Sequence, residues 1–132
     1  ILKYATKFEI DTVLNSPIGG YSHGMKQKLL VTSSLSHDPS IWILDEPMSG
    51  LDPKAAFLLK DEMRRRADAG KTVFFSTHIM EVAEKICDRI AIINKGKILF
   101  TGTLDELQGF RGSESSLEDL FLSLTGTPET AG

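Results

Sequence analysis

Four consecutive apolar residues, Ile41-Trp42-Ile43-Leu44, run directly into two adjacent carboxylates, Asp45 and Glu46, and then into Pro47. So short a run, bounded by Asp38-Pro39 and by Pro47, fits a strand buried on both faces, as in a parallel sheet covered by helices. The acids then stand at its carboxyl end, where open α/β sheets place their ligand crevice. An acid in that place suits a hard cation with oxygen ligands such as Mg²⁺. Asp45 and Glu46 could equally open a turn before Pro47, so the strand alone leaves both readings standing.

The neighbouring stretches add to it. Upstream stands Tyr21-Ser22-His23-Gly24-Met25-Lys26-Gln27-Lys28-Leu29; downstream come Ser49-Gly50-Leu51-Asp52 and, after a second apolar strand, Ser76-Thr77-His78. In this order and at these separations the four elements resemble the signature loop, Walker B strand, D-loop and switch histidine of an ABC-type ATPase nucleotide-binding domain. The resemblance covers about residues 1 to 110 and is to the C-terminal half of that domain. No G-x-x-x-x-G-K-S/T phosphate loop occurs among the 132 residues.

Several positions have a local reading beside the family one. Ser22 can cap a helix running to about Ser36, whose first turn offers unpaired N–H groups and a positive dipole end to an anion. In the resembled family this loop reads L-S-G-G-Q and grips the γ-phosphate of ATP on the opposite subunit. Tyr21, His23 and Met25 depart from that pattern, while Ser22 and Gly24 keep it. The resemblance therefore carries Ser22 and Gly24 over as nucleotide-binding residues, with His23 beside them. It assigns Asp45 to Mg²⁺ through a water and Glu46 to the attacking water as general base. Phosphoryl transfer needs both functions, because it is mostly positioning and charge neutralisation. Asp52 reads as the N-cap of a helix over about 53 to 69, with Pro53 at its first position and Gly70 as its stop, and by resemblance also as the D-loop acid at a dimer interface. His78 follows the strand 72 to 77 at its carboxyl end, where a lone histidine is usually structural; in the family a histidine there contacts the γ-phosphate and orients the water.

Composition narrows the classes. Hydrophobic residues make up 41% and charged residues 25%, which is ordinary for a single globular domain. A formal charge of −3 argues against nucleic-acid binding through phosphate neutralisation, and Arg64-Arg65-Arg66 reads as a solvated helix face. No apolar run reaches the roughly 20 residues that cross a bilayer. The single cysteine, Cys87, cannot form an internal disulfide and reads as a buried, inert thiol; His37 reads as a helix end.

For the rest of the chain, Ile1 to Leu14 reads as a helix followed by a Pro/Gly loop. Residues 79 to 87 read as a helix, and 89–94 with 97–101 as a hairpin around Asn94-Lys95-Gly96. Thr103-Leu104-Asp105-Glu106 and Ser115-Ser116-Leu117-Glu118 have the capping-box form and announce two short helices, with Leu117, Leu120, Phe121 and Leu124 on one face of the second. The expected fold is α/β, P-loop NTPase-like, with a mostly parallel sheet and helices on both faces. It is incomplete, because the phosphate-loop strand of the family belongs between the strands at 72–77 and 90–94. Expected divisions are 1–40, the end of a helical subdomain with the signature helix; 41–102, the core; 103–124, C-terminal helices; and 125–132, a disordered tail.

The resemblance implies an ATP-binding and ATP-hydrolysing subunit of an ABC transporter, using ATP and Mg²⁺ at a head-to-tail homo- or heterodimer interface. It implies transmembrane permease subunits as partners, and hence a place on the cytoplasmic face of the membrane, with no nucleic acid. Without the phosphate-loop lysine and amides, these residues alone are expected to turn over no ATP. Two other readings use the same motifs: a non-catalytic truncated or split interaction module, and an ABC-type ATPase of translation or DNA repair that works without a permease.

Overall fold

The computed structural model describes residues 1–109 and 116–126, which fall into two compact units, Ile1–His78 and Ile79–Gly132.

Trp42 is the centre of the first unit. β1 (Ile41–Leu44) pairs in parallel with β2 (Thr72–Phe75), with Trp42 opposite Val73 and Leu44 opposite Phe75, and α3 (Pro53–Asp68) forms the crossover. Trp42 is 2% exposed, and its indole N–H donates to Ser34 Oγ at 2.9 Å on α2 (His23–Leu35). Ala55, Leu59 and Met63 of α3 and Val31 and Leu35 of α2 complete the core; each large side chain buried there contributes about 1.5–3 kcal/mol. α3 starts and stops as its sequence foretells. Asp52 Oδ1 accepts from the Ala55 N–H at 2.9 Å, Pro53 opens the helix, and Gly70, at φ +82°, closes it.

The α/β class with parallel pairing stands, but three local expectations in this unit do not. Among the described residues β1 is covered on one face only. Ile41 and Ile43 are 63% and 70% exposed and Phe74 beside them 62%, because side chains alternate across a strand and α2 and α3 touch the Trp42 side. The helix expected over 1 to 14 is α1 (Leu2–Lys7) followed by a 3-10 turn at Asp11–Val13. Glu9 at φ +58° ends it: the Glu9 N–H bonds the Thr6 carbonyl and the Ile10 N–H the Ala5 carbonyl, a helix stop usually built on glycine. The break lets Ala5, Phe8 and Ile10 all turn inward, which one straight helix cannot do. Finally, the Arg64–Arg66 run is no solvated face. Arg66 is 2% exposed; it donates to Asp38 Oδ1 at 3.2 Å and to the Pro39 carbonyl at 2.7 Å, and stacks 5.6 Å from the Trp42 ring.

The second unit contains α4 (Met80–Ile86), an antiparallel hairpin of β3 (Ile90–Asn94) and β4 (Lys97–Gly102), α5 (Leu104–Gly109) and α6 (Leu117–Thr125). Lys95 and Gly96, at φ +48° and +74°, make the two-residue turn that strand twist favours. Ala83, Ile92, Leu107, Leu117 and Leu120 form its core, with the half-buried Cys87 packed against them. Thr103 and Glu106 form the expected capping pair. The second one lies a residue later than expected: Ser116 accepts from the Asp119 N–H, and Asp119 accepts from the Ser116 N–H. With that register Leu117 and Leu120 are buried and Leu124 stays exposed. Ser115 and the tail from 127 lie outside the described residues. Among the described residues no helix is long and apolar enough to cross a membrane.

Candidate functional site

Register brings the acids and the histidine together. One step beyond the paired residues, Asp45 stands beside Ser76, and the Ser76 N–H donates to the Leu44 carbonyl at 3.0 Å. The Ser76 hydroxyl donates to Asp45 Oδ1 at 2.5 Å and accepts from the Glu46 N–H at 2.9 Å. Glu46 is at φ +43°, a left-handed backbone that few non-glycine residues adopt, and there the chain leaves the strand. His78, two residues past Ser76, brings Nδ1 to 3.0 Å from Glu46 Oε2. A proton on Nδ1 can donate to that carboxylate whether or not Nε2 also carries one. The imidazole is 78% exposed, so its far nitrogen is open to an incoming ligand.

A second cluster forms where α2 begins. Ser22 caps the helix, its Oγ accepting from the Met25 N–H at 3.2 Å. Gly24 lies so close to the 47–52 loop that a Cβ on it would stand 2.8 Å from the Gly50 carbonyl oxygen. Gly50 has φ +74°, and a Cβ there would lie 2.1 Å from His23 Cδ2, so the imidazole rests on bare backbone. Gln27 Nε2 donates to the Pro47 carbonyl at 3.1 Å, and Lys28 Nζ pairs with Asp52 Oδ2 at 3.0 Å. The Ala55 N–H, and after it Lys28, hold the Asp52 carboxyl below its ordinary pKa. His23 and Gly24 rest on Gly50 and Lys28 pairs with Asp52, so the start of α2 packs on one loop, and that loop continues directly from Asp45-Glu46.

The donors suit Mg²⁺ held jointly with phosphates rather than by protein alone. Asp45 is an exposed carboxylate with one oxygen fixed by Ser76, and no trio of metal-ligating side chains comes together among the described residues. Mg²⁺ commonly takes one or two carboxylates, waters and substrate phosphate oxygens.

A sequence-family model described as "AAA domain, putative AbiEii toxin, Type IV TA system" matches residues 6–84. The ABC transporter ATP-binding protein NatA of Bacillus subtilis (strain 168) is 34% identical over 117 residues, 89% of this chain and 47% of its own. The ABC-type transporter ATP-binding protein EcsA of the same organism is 40% identical over 106 residues, 80% of this chain and 43% of its own. A solved structure titled as the ATP binding subunit of an ABC transporter superposes with a TM-score of 0.86 at 34% identity, over 93% of this chain and 52% of that one. The chain belongs to the ABC-type ATP-binding proteins. It spans about half the length, or less, of these relatives.

Within this ABC-type chain all seven residues singled out from sequence lie between 22 and 78, inside the stretch the family model covers. Two others that touch them, Ser76 and Lys28, and Gln27, which touches Pro47 beside Glu46, carried no separate signal. Ser76 directly follows β2 and comes beside Asp45 one step past the paired residues, a place that only the pairing of the strands reveals. Gln27 and Lys28 reach partners twenty or more residues away, which no local pattern reveals.

Proposed function

We propose that the chain carries the hydrolytic and signature elements of an ATP-hydrolysing ABC transporter subunit. Its MgATP lies at a head-to-tail dimer interface and its turnover drives a permease at the cytoplasmic face of the membrane. The observation that supports this best is the 3.0 Å contact between His78 Nδ1 and Glu46 Oε2, one residue from Asp45, at the carboxyl end of a parallel strand pair.

In this reading Glu46 takes the proton of the attacking water, and His78 orients both that carboxylate and the γ-phosphate. Asp45 holds the water shell of Mg²⁺. When bound, Mg²⁺ would supply positive charge that neutralises the phosphates. Ser22 and the first amides of α2, with Gly24 allowing close approach and His23 beside them, face the γ-phosphate of nucleotide held by the opposite subunit. Asp52 belongs to the loop that crosses the interface.

The test is Glu46→Gln in the full-length polypeptide. The amide keeps the shape and loses the base, so ATP turnover should fall at least about a hundredfold while ATP binding and nucleotide-dependent dimerisation persist. Unchanged hydrolysis would remove Glu46 from the role.

A further inference from the structure

We propose that Ser76 is a positioning residue, which holds the backbone of Glu46 in the conformation that aims its carboxylate at His78; this rests on the reading of Glu46 and His78 given above. A hydroxyl has one hydrogen to donate and two lone pairs to offer. Asp45 Oδ1 takes the hydrogen at 2.5 Å, and that fixes the rotor and leaves a lone pair for the Glu46 N–H at 2.9 Å. The direction of the hydroxyl is therefore set by the neighbouring acid, and the oxygen becomes a directed acceptor for the next residue.

The demand for such an acceptor comes from Glu46 itself. A side-chain-bearing residue at φ +43° is strained and stays there only where its surroundings over-determine it. Two contacts supply that determination. Ser76 takes the Glu46 N–H, and the Ser49 N–H donates to the Glu46 carbonyl at 3.0 Å in the turn that follows. At the side-chain end, His78 meets Oε2. Ser76, the first residue past β2, and His78, two residues further on, thus hold the same glutamate at its amide and at its carboxylate. A hydroxyl that merely finished a strand end would have no reason to engage both acids at once.

The experiment compares Ser76→Ala, Ser76→Thr and Glu46→Gln in the full-length polypeptide. Losing both hydrogen bonds of the hydroxyl should lower kcat about tenfold in Ser76→Ala, leave the KM for ATP within about twofold, and be recovered by threonine, which keeps the hydroxyl. In nucleotide-free protein, exchange of the Glu46 amide with deuterium should quicken about tenfold in Ser76→Ala and stay as in the parent in Ser76→Thr. Unchanged exchange at Glu46 in Ser76→Ala, whatever the rate of turnover, overturns the proposal; so does a kcat loss that threonine does not recover. Should Ser76→Ala not fold, Ser76→Cys, close in size with a weaker donor and acceptor, stands in with the same expectations. If Glu46→Gln turns over as the parent does, the functional reading fails, while amide exchange still decides the positioning.

Discussion

Gly24 and Gly50 meet backbone to backbone: a Cβ on Gly24 would stand 2.8 Å from the Gly50 carbonyl oxygen. Alanine in place of a helical glycine usually gains up to about 1 kcal/mol. Here the obstacle is a carbonyl held in a turn, not the end of a flexible side chain, so α2 has to move away from the 47–52 loop. Gly24→Ala should therefore destabilise the protein by roughly 1 kcal/mol despite its better helix propensity. Gly109→Ala, in a helix position with nothing within 4 Å of the added Cβ, should be neutral or stabilising. Urea unfolding of both variants checks this; equal behaviour would mean the close approach carries no constraint.

Arg66 offers a second test, because a buried guanidinium is replaced in very different ways by lysine and by an apolar side chain. It is 2% exposed, bonds Asp38 and the Pro39 carbonyl, and stacks on Trp42. Lysine cannot make the forked contact or the planar stack, and alanine leaves a cavity beside Trp42 with Glu62 and Asp38 short of a partner. Arg66→Ala should cost about 3 kcal/mol, and Arg66→Lys should recover less than half of it. A loss below 0.5 kcal/mol for the alanine variant, the usual range for an exposed arginine, would contradict the buried placement.

These two sites also show how far the sequence can be read. The apolar run into Asp45-Glu46 and the helix caps at Ser22 and Asp52 were legible as local signals, whereas the candidate roles of these residues and of His23, Gly24 and His78 came from the resemblance that the order of the motifs carries. The end of α1 was illegible, since its left-handed stop is Glu9 where glycine would have announced it. Arg66 was misread because three adjacent arginines point in three directions on a helix, and only packing against Trp42 distinguishes the inward one. The open face of β1 was misread for a related reason. Isoleucine at 41 and 43 looks the same whether or not a neighbour covers it within this chain.

Acid sensitivity follows from Asp52. The Ala55 N–H and Lys28 favour its ionised form, so in the folded state it titrates below its ordinary value of 3.8. Unfolded chain then binds the proton more readily. The contribution is fully present above that value and is lost as pH falls through the lower, folded one. Asparagine keeps the helix cap but has no charge to titrate and no ion pair with Lys28. Asp52→Asn should therefore show a shallower loss of stability below about pH 4 than the parent, with curves that converge as acid protonates Asp52. Parallel curves down to pH 2 would show that the carboxylate contributes nothing of the kind.

Nucleotide affinity of the 132-residue chain by itself tests the division of labour within the site. The groups gathered around the end of β1 are Asp45, Glu46 and His78, and the nearby Lys28 is already paired with Asp52. Such a surface repels a polyphosphate unless other amides and cations neutralise it, and the sequence contains no G-x-x-x-x-G-K-S/T run to supply them. The first amides of α2 offer only a helix end, whose attraction for an anion is about 1 kcal/mol. Calorimetry with MgATP should therefore find no binding, or binding weaker than about 1 mM, which corresponds to some 4 kcal/mol. Adding a separately expressed partner that bears a phosphate loop should raise the affinity and make it sensitive to Asp45→Asn. Micromolar binding by the chain alone would instead mean that Asp45, Glu46, His78 and the signature groups form a complete nucleotide site, and the roles proposed for them would have to be reassigned.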